Sequence, residues 1–310
     1  MTVWLFPGQG TQKVGMGRAL FDASPAARAV FEAADDALGE PLSRLIFEGP
    51  LDGLTQTANA QPAIVTVSIA TLAALREAHP TLPDPSYAAG HSLGEYSALV
   101  AAGALDLSTA VRIVRLRGEA MQRAVPAGVG AMAALIGSDA EGVEALCAEV
   151  RAEMGPERVL SAANFNAPGQ IVIAGHADAV ARASERAATR KMKAIPLKVS
   201  APFHCSLMEP AARAVDDALQ GIEVNPLRFP VISNVEASPN TDPGRVQSLL
   251  VRQICGTVRW QETLEWLAAQ GSKKALEIGP GKVFGGSCSQ NGPGAGSSIG
   301  VGARRSGSGG

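Results

Sequence analysis

Gly90-His91-Ser92-Leu93-Gly94 has the form Gly-x-Ser-x-Gly, a spacing that suits nucleophilic catalysis. Such chemistry needs a serine hydroxyl lifted clear of its backbone, and a strand entering a helix through a sharp turn provides that. Glycine on either side keeps a Cβ from striking the neighbouring strand or helix. The start of the helix supplies free N–H groups and a partial positive charge beside the nucleophile. The competing reading of the same five residues is a Gly-rich turn with no chemistry.

A serine nucleophile needs a base, and the chain has four histidines to choose from. His91 adjoins the serine, and side chains of neighbouring residues on an elbow diverge. His79 lies in a polar loop, and His176 ends a strand beside a turn. His204, in Pro202-Phe203-His204-Cys205, is the best placed of the four; its alternative is a structural histidine with satisfied hydrogen bonds. No aspartate between Ser92 and His204 sits at a strand end, so the expectation is a Ser-His dyad. Its imidazole would be oriented by a backbone carbonyl. One oxyanion donor would be the N–H of Leu93, the residue after the nucleophile, and the second should come from a loop after another strand. The loop Gly8-Gln9-Gly10 offers the Gln9 backbone for that, or is an ordinary turn.

Arg117 raises a separate question. Over residues 106–125 the periodicity is that of an amphipathic helix, with Ala110, Ile113, Val114, Ala120 and Met121 on one face. Arg117 falls in the middle of that apolar face. A permanent charge there needs a partner. Two readings stand: a structural ion pair or snorkelling side chain, or a receptor for a substrate carboxylate in a cleft.

The elements that must position these residues follow from pattern. A strand at 3–6 runs into the Gly8 turn, and a helix at 24–38 starts from Ser24. A largely buried helix spans 62–75, with Pro62 in its first turn. The nucleophile strand covers 85–89, and a helix at 95–102 is stopped by Gly103. Residues 130–199 read as a unit of their own in the order βαββαβ, the ferredoxin-like pattern. Strands at 231–234 and 275–278, with helices at 245–254 and 261–270, resume the larger body. The fold class is therefore α/β: a hydrolase-like large domain with a mostly parallel sheet, formed by 1–129 and 200–284, carrying a ferredoxin-like insert at 130–199. Residues 285–310, rich in Gly and Ser, read as a disordered low-complexity tail.

Composition narrows the class. The 310 residues are 46% apolar with a net charge of −2, enough for a large core and unlike a general nucleic-acid binder. No stretch reads as a signal peptide or as long enough to span a membrane. Cys147, Cys205, Cys255 and Cys288 form no Cys-x-x-Cys pair, which argues against zinc and against a disulfide framework. A reducing, cytoplasmic setting and a monomer are expected. One basic run stands out between 182 and 198: Arg182, Arg186, Arg190, Lys191, Lys193 and Lys198, with Glu185 as its one acid.

Taken together these stretches resemble the malonyl-CoA:acyl carrier protein transacylases of bacterial fatty-acid synthesis and the discrete acyltransferases of polyketide synthesis. The likeness rests on Phe6-Pro7-Gly8-Gln9-Gly10, Gln61-Pro62-Ala63, Gly90-His91-Ser92-Leu93-Gly94-Glu95, Arg117-Gly118, the run from Asn164 to Gln170, Pro202-Phe203-His204 and Glu277-Ile278-Gly279-Pro280-Gly281. The resemblance implies Ser92 as the acylated nucleophile, His204 as base and Arg117 as ligand of the malonyl carboxylate. It also implies Gln9 and Leu93 as oxyanion donors, and Gln253 as the residue whose carbonyl orients the histidine. Gln61, Phe203, Met121 and Asn166 would line the substrate. It implies malonyl-CoA and an acyl carrier protein as partners, with no metal or redox cofactor. The basic run would then be a docking surface for an acidic carrier, or simply a solvated helix face. Phe203 before His204 leaves the fatty-acid and polyketide pathways both open. Two other functions compete. A serine esterase or thioesterase would use the same dyad but has no evident use for Arg117. A non-catalytic carrier-binding domain would have no need of Ser92 and His204.

Overall fold

A computed structural model describes residues 1–272 and 274–281. Its elements run β1 (Thr2–Phe6), α1 (Arg18–Ala23), α2 (Pro25–Leu38), α3 (Leu42–Glu48), α4 (Leu51–Thr55), α5 (Thr57–Ala78), β2 (Tyr87–Gly90), α6 (Gly94–Ala101) and α7 (Leu107–Arg123). There follow β3 (Gly130–Ile136), α8 (Ala140–Met154), β4 (Leu160–Ala167), β5 (Gln170–His176), α9 (Ala177–Thr189) and β6 (Lys193–Pro196). The chain closes with α10 (Glu209–Leu219), β7 (Val231–Ser233), β8 (Ser238–Asn240), α11 (Val246–Cys255), α12 (Trp260–Ala269) and β9 (Lys274–Glu277).

The first sheet has the order β8-β7-β2-β1-β9, parallel except for the edge strand β8. Alternation along β1 shows why the sheet is covered on both sides. Trp4 and Phe6 enter the larger core with residues of α5, α7 and α10, while Val3 and Leu5 face Trp260, Leu264 and Leu267. The register sets Phe6 beside Gly90, so β1 and β2 end at the same level. Gln9 and Ser92 therefore leave the sheet at neighbouring carboxyl ends. Asn234 leaves β7 at the same edge, where sites gather in parallel sheets.

The second sheet, β4-β5-β3-β6, is antiparallel throughout. One face packs on α8 and α9 through Ala133, Leu135, Leu146 and Val180. The other face presents Met132, Ala134 and Val172 to Phe203, Cys205 and Leu207. The smaller sheet thus buries its second face against the loop that carries His204, and the cleft lies between the two bodies.

Several expectations need correcting. The helix expected to begin after Gln61 begins five residues earlier, at Thr57, and Pro62 lies inside it. Tertiary contacts hold that extra turn: the Ala58 N–H donates to Gln122 Oε1, and Thr57 Oγ1 accepts from Gln9 Nε2. The same helix, α5, is long and apolar enough by length and composition to cross a membrane, contrary to the reading that no stretch was. Its apolar window is 72% buried in the core, which accounts for its composition. Helices α1, α3, α4 and α10 were not anticipated. The short ones carry too few turns for periodicity to show. The tail expected at 285–310, and Cys288 within it, lie outside the described residues.

Candidate active site

Ser92 sits at φ +49°, in the left-handed region that a serine adopts only when its surroundings force it there, at about 1–3 kcal/mol. The two motif glycines supply that force. A Cβ on Gly90 would lie 1.9 Å from the carbonyl carbon of Gly94, and one on Gly94 would lie 2.2 Å from the Phe6 oxygen. Strand and helix can meet this closely only without side chains, and the close meeting pitches Ser92 outward. His91, one residue before, points elsewhere: its Nε2 pairs with Asn166 Oδ1 at 2.8 Å.

Ser92 Oγ lies 2.8 Å from His204 Nε2. The other ring nitrogen, Nδ1, lies 2.8 Å from the Gln253 carbonyl oxygen. A carbonyl can only accept, so Nδ1 carries the proton and Nε2 offers its lone pair to the serine. Among the described residues no carboxylate is hydrogen-bonded to the ring. His204 is 4% exposed, and its ring is held down to a pKa of about 3, first by burial and next by the Arg117 charge. The imidazole is therefore neutral over the physiological range. His204 also sits at positive φ, +61°, so backbone strain is stored at both members of the pair.

Arg117 reaches the same hydroxyl. It is 2% exposed on α7, and one guanidinium nitrogen donates to Ser92 Oγ at 3.1 Å and to Gln253 Oε1 at 3.0 Å. The other donates to Gln61 Oε1 at 2.8 Å. The charge lies 5.6 Å over the Tyr96 ring. No carboxylate forms an ion pair with it among the described residues. The Tyr96 hydroxyl is close by, yet neither it nor Arg117 Nε has a hydrogen-bond partner of good geometry. A buried guanidinium whose hydrogen-bond partners are all neutral, with an unsatisfied N–H, is poised to take an anion. The structural ion pair weighed from sequence has no counterpart in these contacts.

A cleft of about 500 Å³ opens over these groups. Gln9, Gln61, Leu93, Met121, Asn166 and Phe203 all line it, as do Asn164 and Lys198. Gln253 does not; it lies beneath, fully buried. The Leu93 and Gln9 N–H groups have no acceptor among the described residues. Gly8 lets the Gln9 loop approach, because a Cβ there would stand 2.5 Å from the His91 oxygen. Met121 receives a long contact from Gln61 Nε2, at 3.8 Å to its sulfur.

Two residues of this network escaped the sequence reading. Asn234 accepts the Ser92 N–H at 2.6 Å and donates from Nδ2 to the Gly90 oxygen at 2.7 Å. Glu95, 3% exposed, accepts at Oε2 from Gln253 Nε2 at 2.7 Å and from the Asn234 N–H at 3.1 Å. The available signal for Asn234 was its place, directly after a short apolar strand of a parallel sheet. For Glu95 it was an acid in the first turn of an otherwise apolar helix.

Comparison with known proteins gives a consistent picture. The acyl transferase domain family matches residues 3–285. The malonyl CoA-acyl carrier protein transacylase of Bacillus subtilis strain 168 is 49% identical over 284 residues, covering 91% of this chain and 88% of the relative. That of Escherichia coli K12 is 44% identical over 283 residues, covering 91% and 89%. Among solved structures, the acyl-carrier-protein S-malonyltransferase of Bartonella henselae superimposes with a TM-score of 0.87 at 49% identity, covering 92% and 90%. A malonyl-transacylase in complex with its type II polyketide acyl-carrier protein superimposes at 0.88 with 43% identity, covering 94% and 92%.

Proposed function

The chain belongs to the acyl transferase domain family, and from that premise we propose how it performs malonyl transfer from CoA to an acyl carrier protein. The observation that carries the reading is the convergence of His204 Nε2 and Arg117 on one oxygen, Ser92 Oγ. We read the parallel-sheet body, 1–129 with 200–284, as hydrolase-like and 130–199 as a ferredoxin-like insert. We read the protein as a cytoplasmic monomer that needs no metal or redox cofactor.

The reaction divides into two halves. The Ser92 hydroxyl passes its proton to His204 Nε2 as Oγ forms a bond to the thioester carbonyl carbon. The Leu93 and Gln9 N–H groups receive the oxyanion. The carbon–sulfur bond then breaks, His204 returns the proton to the CoA sulfur, and the malonyl ester remains on Ser92. The carrier's phosphopantetheine thiol next gives its proton to His204 and attacks the ester. Oγ leaves with that proton, and the malonyl thioester departs on the carrier.

Arg117 has two parts to play. Before substrate arrives it rests against Ser92, with one nitrogen donating to Oγ. With malonyl bound, its fork turns to the free carboxylate and fixes the distance from that group to Ser92. The same pairing offsets one cause of the depressed His204 basicity, so the base accepts a proton more readily once a correct donor is seated. Gln61 and Gln253 hold the guanidinium in place, and Met121, Asn166 and Phe203 shape the space for the acyl chain. A general esterase has no use for such a receptor.

Arg117→Ala tests this reading. Malonyl kcat/KM should fall by at least about a hundredfold, the scale of a lost charged contact. Acetyl transfer, with no carboxylate to lose, should hold level or rise. Parallel losses with both donors, together with a lower melting temperature, would make the arginine structural.

A further inference from the structure

One buried ionisable group has no part in the steps above. Glu95 lies behind the elbow, in the first turn of α6, and its Oε2 gathers two donors from two different elements. Gln253 Nε2, the first donor, also donates to the Ser92 carbonyl at 2.9 Å, while Gln253 Oε1 accepts from Arg117. The backbone oxygen of the same glutamine holds His204. Asn234, the second donor, clamps the elbow from Ser92 N to Gly90 O. One carboxyl therefore touches both residues that secure nucleophile, base and receptor.

Resting on the malonyl-transfer reading, we propose that Glu95 is a positioning residue that governs acyl-donor preference. Through Gln253 and Asn234 it fixes the elbow and the receptor, and a charge on its carboxyl opposes the donor's own carboxylate at Arg117. The electrostatic setting supports this. Burial pushes the Glu95 carboxyl up to about 7, against the pull of its Gln253 and Asn234 hydrogen bonds and of Arg117. The charged or titratable groups around it are Arg117 on α7, Tyr96 on its own helix and Glu236 after β7. Glu236 is itself held by Arg245 and Arg252. Gln253 from α11 and Asn234 present no titratable group. His204, with its pKa near 3, stays neutral across the range in which Glu95 ionises.

A neutral Glu95 leaves the full Arg117 charge to a malonyl carboxylate. An ionised Glu95 shares that charge and repels the incoming anion. An acetyl donor carries no such group and does not feel the difference. CoA phosphates titrate alike in both donors and cancel in their ratio.

The test is the malonyl-to-acetyl ratio of kcat/KM for Ser92 acylation, measured on the full chain between about pH 5.5 and 8.5. In the wild type the ratio should fall by about fivefold to tenfold as pH rises, with a midpoint near neutrality. In Glu95→Gln, which keeps an acceptor for Gln253 and Asn234, the ratio should be flat and match the wild-type acid plateau. A Glu95→Gln profile that superimposes on the wild type overturns the proposal. So does a wild-type ratio that does not change with pH, a result that stands even if the variant folds poorly. Failure of the underlying malonyl-transfer reading would look different: no malonyl ester on Ser92 in the wild type at any pH.

Discussion

At the residue scale, the site is a set of groups kept in unfavourable states by burial. His204 is the clearest. Its ordinary pKa of 6.5 falls to about 3, so its ring is neutral over the physiological range. His204→Ala should lower Ser92 acylation by about 10²–10⁴, the range for a general base. Acylation kinetics near those of the wild type would point to another base. The same shift makes a stability statement. Between pH 6.5 and about 3 the unfolded chain binds a proton at this histidine and the folded one does not. Stability is therefore lost as pH falls through that window. Glu95 acts in the opposite sense: the folded carboxyl keeps its proton up to about 7, against 4.5 unfolded, so stability is lost as pH rises through that range. The melting temperature of His204→Gln should accordingly drop less than that of the wild type on going from about pH 6 to 4. An equal drop would remove His204 as the cause.

At the element scale, the close meeting of β1, β2 and α6 makes the elbow possible. Gly94→Ala would drive a methyl to within 2.2 Å of the Phe6 oxygen, backbone against backbone, with nothing flexible to give way. It should cost more than the about 1–3 kcal/mol of ordinary overpacking and lower both melting temperature and activity. Wild-type stability in that variant would show that the elbow does not need the glycine. Much of this element was legible in the sequence. The Gly-x-Ser-x-Gly spacing marked the elbow, and Arg117 stood out because a charge interrupted an apolar helical face. A carbonyl partner for His204 was expected because no suitable aspartate was at hand, and Gln253 O is the group that the ring meets. Asn234 and the Glu95 contacts were not legible. They join residues more than 130 apart in the chain, and nothing local in a short apolar strand shows which side chain its turn will deliver. Pro62 misplaced the start of α5 for a related reason, since contacts from α7 and the Gln9 loop support a turn that local propensity would have ended.

At the scale of the whole molecule, two bodies enclose a cleft, and Lys198 of the basic run lines it. The basic run on the smaller body is less free than its sequence suggests. Arg182 pairs with Glu153 and Glu185, Arg186 with Glu149 and Glu153, and Arg190 with Glu149. Lys191, Lys193 and Lys198 form no ion pair among the described residues, and Lys198 lines the cleft itself. The docking expectation therefore moves from the arginines to the lysines. Charge reversal at Lys191 and Lys193 should raise KM for the carrier while leaving KM for malonyl-CoA unchanged, because complementary charge acts on encounter. Equal effects on both substrates, or none, would place the carrier elsewhere.

The central claim is that Ser92 carries the malonyl group between two thiols. It is tested most directly by incubating the full chain with malonyl-CoA, removing the CoA, and weighing the intact protein before and after adding holo-acyl carrier protein. One malonyl ester is expected, mapped to Ser92 and absent from Ser92→Ala, that is discharged onto the carrier thiol. A malonyl group on another residue, an unlabelled wild type, or an ester that the carrier does not remove would contradict it.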